Sequence, residues 1–416
     1  MKILVVGKGG REHALVTALS ESPSAPELFC FPGSDAIFQR AKPTPAHDLS
    51  SLIAFMKAQS VDLCVAGEES YLVTGEGLAN ACAAAGIPCW GPPRESAQLE
   101  ASKEFAKAFL VRHGIPTASH AMAGSLPEAQ ALLTRFPVVL KFDGLAAGKG
   151  VAVCQSRQEA EEFLHAVFVQ RQFGEGRVVV EECLTGPEVS IFASIVDSDY
   201  QILCPARDYK RIGDGDEGPN TGGMGAVASR HLVEAPLLAE IEQTIVQPTV
   251  AGLQKDRLPY RGFLYFGLML TPSGPKVLEY NCRFGDPECE AVMPLAGGDL
   301  AAYCLEGARG VLRRDLLSFD GGWSVCVILA SAGYPVTSRS GDVISGLEAV
   351  EAARVYHCGT RKDAAGQFTT NGGRVLAVVA QGTTRQAARD KAYAAAEKLS
   401  FAGCQRRTDI ATLHFS

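Results

Sequence analysis

An apolar run at residues 2–6 breaks into Gly7-Lys8-Gly9-Gly10 and then into a helical pattern at 11–19. No other feature constrains the fold of this chain as much. A short run without polar alternation suits a strand buried on both faces. A glycine turn and a helix directly after it make the strand–turn–helix unit of a parallel α/β sheet. The unit recurs as a strand at 61–66 ending at Gly67, a helical stretch at 75–85, and residues 87–90 before a Gly-Pro-Pro turn at 91–93. The chain is therefore expected to open with a parallel α/β domain, placed at residues 1–100.

Beyond residue 100 the pattern changes. Residues 99–111 predict one amphipathic helix, with Leu99, Phe105, Phe109 and Leu110 as its apolar positions. Ser125-Leu126-Pro127-Glu128 and Ser156-Arg157-Gln158-Glu159 are capping-box patterns that predict helix starts. Between them lie a strand at 138–142, a glycine-rich loop and a strand at 151–154. Further strands are predicted at 178–182, 188–196, 262–271 and 276–281. The polar stretch 211–225 lacks periodicity and reads as a long loop, a type usually functional or disordered. A last domain is placed at 320–416, with strands at 324–330, 354–358 and 374–380. Its helix at 385–399 starts from the box Thr383-Thr384-Arg385-Gln386. Trp90 and Trp323 read as core.

Several function classes are disfavoured. A length of 416 residues exceeds one ordinary core. The net charge of -7 argues against nucleic acid as a partner. The 13 cysteines form no C-x-x-C pair, and the 8 histidines do not cluster at metal-ligand spacing. That pattern predicts reduced, buried thiols in a cytoplasmic protein. His13, His113 and His357 read as structural. Residues 2–6 are too short for a secretory core, and no apolar stretch is long enough to span a bilayer, so no membrane partner is expected. No G-x-S-x-G nucleophile motif is present.

Five segments carry candidate chemistry. In Gly7-Lys8-Gly9-Gly10-Arg11-Glu12-His13, backbone amides of Gly9 and Gly10 can face an anion at a helix N-terminus, with Arg11 adding charge. Glu12 stands where a dinucleotide fingerprint needs its third glycine, so a phosphate outside a dinucleotide fits better. In the second segment Lys141 is followed by a glycine loop with Gly144, Gly148, Lys149 and Gly150. The Gly144-to-Gly148 spacing is one residue short of a P-loop. In the third, Glu279, Asn281 and Arg283 share one strand face by their two-residue spacing. Two oxygen ligands suit a divalent cation shared with phosphates, and an arginine beside them suits a transferring phosphoryl group. The fourth is Glu181-Glu182 with Glu188. The fifth is Asp208-Tyr209-Lys210-Arg211 running into Asn220, Gly222, Gly223, Met224 and Gly225, read as a substrate loop.

Taken in order, these segments resemble the ATP-grasp family and, within it, the phosphoribosylamine–glycine ligases. The resemblance spans nearly the whole chain. It includes GKGGREHAL at 7–15, LEASKEFAKAFL at 99–110, VVLKFDGLAAGKGVAV at 138–153 and VVVEECLTGPEVS at 178–190. DYKRIGDGDEGPNTGGMGA at 208–226, LEYNCRFGDPE at 278–288 and NGGRVLAVVA at 371–380 continue it. It implies an α/β fold: an N-terminal parallel-sheet domain, a two-lobed ATP-grasp domain at 101–319 with a mobile lobe at about 120–190, and a small C-terminal α+β domain. It also implies ligation of glycine to 5-phosphoribosylamine with ATP and Mg²⁺ or Mn²⁺, by a monomer. Lys103 and Lys141 become the phosphate lysines, and Gly144, Gly148, Lys149 and Gly150 the loop above them. Glu181 and Glu182 fall beside adenine, Glu188 at the ribose, and Glu279 and Asn281 on the metal. Arg283 is assigned to the transferring group. Asp208 and Asp286 are the carboxylates assigned to glycine's ammonium. Gly9, Gly10, Arg11, Glu12, His13, Gly67 and Glu69 are assigned to the sugar phosphate.

This chain departs from the family pattern at Gly67-Glu68-Glu69, where Glu68 replaces a proline. Tyr209 replaces a histidine, and Ser229-Arg230 replaces Ser-Pro. The rival readings are another ATP-grasp enzyme such as a biotin carboxylase, a nicotinamide-dependent oxidoreductase, and a non-catalytic nucleotide sensor.

Overall fold

The computed structural model describes residues 1–144, 150–319 and 321–412. Strands Lys2–Gly7, Glu27–Pro32, Lys42–Pro43, Leu63–Ala66 and Cys89–Trp90 form a five-stranded sheet. Every pairing in it is parallel. Ile3, Leu4, Val5 and Val6 are all buried, as a strand covered on both faces requires. Helices Gly10–Ser20, Leu49–Gln59 and Leu78–Ala84 belong to this part. The strand at Glu27–Pro32 and the helix at Leu49–Gln59 escaped the sequence reading. Asp48 caps that helix by accepting from the Ser51 N–H at 2.8 Å.

The helix predicted at 99–111 is two helices, Gln98–Ala101 and Lys103–Arg112. Ser102 separates them in an extended conformation, and its hydroxyl accepts from the Phe105 N–H at 3.0 Å. Serine competes for backbone donors and so favours a cap over a helix interior. The break puts Lys103 at the start of a new helix.

A four-stranded sheet follows, in the order His120–Ala123, Val178–Glu182, Val138–Phe142, Val151–Cys154. Helices Leu126–Leu132 and Arg157–Phe168 pack on it, and Leu140, Phe142, Leu164 and Val180 lie in its own apolar core. Ser125 and Ser156 cap these helices as predicted, through the N–H groups of Glu128 and Glu159. The glutamates reach one residue further back than in a full box, to the N–H groups of Gly124 and Gln155.

The largest sheet has nine strands, all paired antiparallel. Its path runs Gly274–Asn281, Arg261–Thr271, Glu188–Val196, Ala206–Asp208, Gly225–Ala228, Trp323–Ala330, Arg374–Gly382, Arg354–His357, with Asp199–Ile202 beside Glu188–Val196. The Gly225–Ala228 and Trp323–Ala330 pairing carries this sheet across residue 320. The parts on either side of residue 320 therefore share one hydrogen-bonded layer.

Three expectations are corrected here. The stretch 211–225 is not all loop: Arg211–Gly213 and Glu217–Asn220 pair as a small hairpin. The buried Arg407 holds it by pairing with Asp216 at 2.7 Å and donating to the Arg211 carbonyl at 3.1 Å. A hairpin of glycine and charge carries no apolar alternation to read. The C-terminal helix, Arg385–Ala396, takes Thr384 rather than Thr383 as its cap. Trp90 is core, but Trp323 is only half-buried.

Candidate functional site

Two adjoining cavities open between the four-stranded sheet and the nine-stranded sheet. The smaller, about 130 Å³, is lined by Lys103, Lys107, Lys141, Glu279, Asn281 and Arg283 among others. The larger, about 320 Å³, has an apolar wall from Val139, Val153, Leu184, Met269 and Leu278 and a polar wall from Glu182, Glu188, Asp208, Lys210 and Asn220. Lys141, Val151, Glu181, Leu278 and Glu279 line both. An apolar slot opening into a basic chamber suits a planar base joined to a polyanion.

Strand alternation sends Lys141 into this junction. Its Nζ lies 3.1 Å from Glu181 Oε2 and donates to the Leu278 carbonyl at 3.0 Å. Lys107 approaches the same Glu181 oxygen at 3.2 Å and donates to Thr117 Oγ1 at 2.7 Å. Lys103 donates to the Gly144 carbonyl at 2.9 Å. Burial, then the charge of Lys141, lowers the Lys103 ammonium, with Glu279 opposing. Burial brings Lys107 down to about 8, against the attraction of Glu181. Burial works against the Glu279 charge, yet Lys210, Lys141 and Lys103 together keep its carboxyl below the ordinary value.

Glu279 and Asn281 meet in the smaller cavity at the end of strand Gly274–Asn281. Among the described residues, no hydrogen bond or ion pair occupies the Glu279 carboxylate. An ionised carboxylate beside an amide oxygen fits a hard divalent cation. Arg283 lines the same cavity just past the strand. Each of its guanidinium nitrogens has a partner: Nε donates to Glu69 Oε2 at 3.0 Å, Nη2 pairs with Glu100 Oε1 at 2.6 Å, and Nη1 donates to the Phe284 carbonyl at 3.1 Å.

On the larger cavity, Glu188 Oε2 receives Lys210 Nζ at 2.6 Å. Glu182 accepts from the Ser119 N–H at 2.9 Å and approaches Arg135 and Lys276. Asp208 and Lys210 point into the cavity while Tyr209 between them points away. Burial pushes the Asp208 carboxyl up to about 8, aided by Glu288, Glu188 and Glu279 and opposed by Lys210. Tyr209 is buried and its hydroxyl accepts from the Ala411 N–H at 2.9 Å, which makes this departure from the family pattern a structural position.

The N-terminal turn lies on the other side of Glu69. Glu12 accepts from the Gly9 N–H and from Arg11 Nε, both at 2.7 Å, closing the turn on itself. Arg11 also donates to the Phe284 carbonyl at 3.2 Å and Glu69 Oε2 at 3.4 Å. Against the effect of burial, Arg283 and Arg11 hold the Glu69 carboxyl down to about 2. His13 Nδ1 accepts from the His357 N–H at 3.0 Å, which ties the N-terminal helix to strand Arg354–His357. Gly10 and Gly67 permit close approach. A side chain at Gly10 would meet Glu290 Oε1 at 2.4 Å, and one at Gly67 would meet the Val6 carbonyl at 2.6 Å. Asp286 pairs with Arg374 at 2.8 Å beside this turn.

The structure brings Lys103, Lys141, Gly144, Gly150, Glu181, Glu182, Glu188, Asp208, Asn220, Glu279, Asn281 and Arg283 onto the two joined cavities. Gly9, Gly10, Arg11, Glu12, His13, Gly67 and Asp286 lie off these cavities, and Glu69, which lines the smaller one, connects to their turn through Arg11. Gly148 and Lys149 lie outside the described residues. The substrate-loop assignment needs correcting at two positions. Met224 is wholly buried, its N–H donates to the Tyr209 carbonyl and its carbonyl accepts from Ile328. Gly225 is strand backbone packed against Cys326. Gly222 and Gly223 pack instead on Arg374, Pro287 and Asp286. Glu100 and Lys107 were missed, and Lys210 was read only as part of the 208–225 segment. Lys107 was readable, because it follows Lys103 by one helical turn on the same face.

Three family models match in turn: the phosphoribosylglycinamide synthetase N domain at residues 1–100, its ATP-grasp (A) domain at 101–289 and its C domain at 324–413. A phosphoribosylamine–glycine ligase of Caldanaerobacter subterraneus is 42% identical over 418 residues, covering 99% of each chain. The crystal structure of a phosphoribosylamine–glycine ligase from Thermotoga maritima superposes with a TM-score of 0.86 at 34% identity, over 98% of this chain and 100% of that one. A Campylobacter jejuni biotin carboxylase shares the fold at a TM-score of 0.72, but is only 16% identical over 97% of this chain and 92% of its own. By these matches the chain belongs to the phosphoribosylglycinamide synthetase family.

Proposed function

We propose that this chain joins glycine to 5-phosphoribosylamine, giving glycinamide ribonucleotide, ADP and phosphate in purine synthesis. It is an ATP-dependent ligase. The observation that carries the reading is the joined cleft, in which Lys103, Lys141, Glu279 and Asn281 meet beside an apolar slot.

Glycine's carboxylate is a poor acyl donor at neutral pH. Its oxygen attacks the γ-phosphorus of ATP, the bridging P–O bond breaks, and ADP leaves with glycyl phosphate formed. The amine then attacks the carbonyl carbon, phosphate departs and the nitrogen loses a proton. Catalysis of this kind rests on positioning and charge neutralisation, so lysines and glycine loops serve where no nucleophilic triad is needed. Lys103 and Lys141 bind the phosphates and Arg283 faces the transferring group. Glu181 and Glu182 border adenine, and Glu188 takes the ribose hydroxyls. Glu279 and Asn281 would hold Mg²⁺ or Mn²⁺, whose charge offsets that of the phosphate oxygens. Asp208, on the cleft wall, is the carboxylate set against the glycine ammonium, with Asp286 the alternative, and the Gly9–Gly10 turn with Arg11 and Glu69 serves the sugar phosphate. The protein acts as a cytoplasmic monomer. No helix among the described residues is long and apolar enough to cross a membrane.

The test is ADP release with glycine and freshly generated phosphoribosylamine, omitting each in turn. ADP release that requires both supports the ligase. Release driven by bicarbonate without glycine favours the carboxylase reading, and binding without turnover favours a sensor.

A further inference from the structure

Cys64, Cys82 and Cys89 are far apart for a sequence motif, and the absence of a C-x-x-C pair hides them. In the fold their sulfur atoms all lie within 4.8 Å of one another. All three are free thiols. Cys64 and Cys89 are register partners on the adjacent parallel strands Leu63–Ala66 and Cys89–Trp90, so their side chains leave the same face. Cys82 comes to that face from helix Leu78–Ala84. The backbone fixes this meeting, because the Cys64 N–H donates to the Pro88 carbonyl and the Ile87 N–H to the Cys82 carbonyl, each at 2.9 Å.

We propose that Cys64, Cys82 and Cys89 form a binding site for one soft, thiophilic cation of the Cu⁺, Zn²⁺ or Cd²⁺ class. Three sulfurs around a metal at ~2.3 Å in a trigonal plane stand ~4.0 Å apart, which the observed cluster reaches with small side-chain rotations. An all-sulfur donor set excludes hard cations, so this site is chemically separate from the oxygen ligands of the cleft. It is also separate in space: none of the three cysteines lines either cavity. Cys64 and Cys82 are fully buried among Leu4, Val6, Leu72 and Leu78, whereas Cys89 is partly exposed and gives the ion an entry. An apolar pocket does not tolerate bare thiolate charge. A divalent ion that displaces two thiol protons leaves two thiolates, one thiol and no net charge, and Cu⁺ displaces one proton to the same end. The ion would pin both strands and the helix that precede and follow the Gly67–Glu69 turn.

The test uses the reduced full-length protein without air, titrated with Cd²⁺ and separately with Cu⁺ delivered from a competing chelator. The expected result is one ion per chain, a thiolate-to-metal charge-transfer band and a raised melting temperature, with excess Mg²⁺ failing to compete. Loss of a group that merely orients a ligand costs about 10–100-fold in metal affinity, so loss of a ligand itself should exceed ~100-fold. Cys89→Ser, a change at the partly exposed position that spares the core, should show that loss and keep its ADP release. Cys183→Ser, at another partly exposed thiol, should bind as wild type does. Equal binding by wild type and Cys89→Ser would overturn the proposal, as would a Cys64–Cys89 disulfide accompanied by no metal uptake after its reduction.

Discussion

The nucleotide cleft and the N-terminal turn are both rich in charge, but they balance it differently. At the turn, Arg11 and Arg283 meet Glu12, Glu69 and Glu100 in closed pairs. Burial opposes their charge, yet these carboxylates raise both guanidinium groups above their ordinary value. In the cleft, three lysines crowd Glu181 and Glu279, and Lys103 and Lys107 are lowered instead. The turn is electrically complete and acts as a rigid frame. In the cleft three lysines face two carboxylates, an excess of positive charge that a polyphosphate would offset. Similar side chains therefore do different work according to whether the fold has already paired them.

The comparison breaks most readily at Glu279. Its replacement by glutamine removes the negative charge expected to hold a cation together with the phosphates, without touching a packed ion pair. Glu279→Gln should lower kcat by about 10²–10³-fold with an unchanged urea midpoint. Unchanged turnover at limiting Mg²⁺ removes Glu279 from the metal site. Arg283→Ala tests the frame. It strands Glu69 and Glu100, and breaking such a buried pair costs about 3 kcal/mol at the low end of the usual range. The low end applies because burial already raises Glu100 to about 7, so it can take up a proton. Arg283→Lys should recover only part, because an ammonium lacks the planar fork. A large kcat loss per folded molecule would support its proposed place at the transferring group, and an unchanged kcat would leave Arg283 to the frame alone. Lys141→Ala sharpens the cleft side. A charged hydrogen bond is worth about 1.5–3 kcal/mol, so KM for ATP should rise about 10–100-fold with little change for glycine. Weaker glycine binding with ATP unaffected contradicts this placement.

The same contrast explains what the sequence disclosed. Lys141, Glu279 and Asn281 sit on strands, where two-residue periodicity fixes which way a side chain points. That Glu279 and Asn281 share a face was legible before any coordinates, whereas their meeting with Lys141 was implied only by the family resemblance. The N-terminal parallel strand was legible because residues 3–6 are uniformly apolar. The carboxylate partners of Arg11 and Arg283 were not legible, because a sequence shows a charge and not its partner; Glu69 and Glu100 reach them only through tertiary packing. The Arg211–Gly213 hairpin was missed because its partners hold it by polar contacts with Arg407 rather than by apolar alternation. Met224 was misassigned because a glycine-rich motif does not reveal that one of its residues anchors the loop in the core. The cysteine cluster needed the parallel pairing of Cys64 with Cys89, which no local spacing encodes.

The smallest expected effect concerns the seam between the frame and the C-terminal strands, where His13 meets His357. Burial, then the charges of His357 and Arg40, pushes the His13 imidazole down to about 3, and burial brings His357 to about 4. The N–H of His357 donates to His13 Nδ1, which requires that nitrogen to be unprotonated. In the unfolded chain both imidazoles titrate near the ordinary value of about 6.5. Below that pH the unfolded state binds protons that the folded state refuses. The contribution of each histidine is therefore fully present above pH ~6.5 and falls as pH drops toward its folded value, by up to about 1.4 kcal/mol per pH unit. Glu100 acts in the opposite sense, since its raised carboxyl gains a proton in the fold as pH falls from about 7. A bare pH profile mixes the two. His13→Asn isolates the histidine, because an amide oxygen can still accept from the His357 N–H and does not titrate. Wild type minus His13→Asn in urea midpoint should be constant from pH 8 to ~6.5 and then shift steadily against wild type at pH 6, 5.5 and 5. Parallel profiles across that window would mean that His13 accepts its proton in the folded state, and that the seam opens to water more readily than its burial indicates.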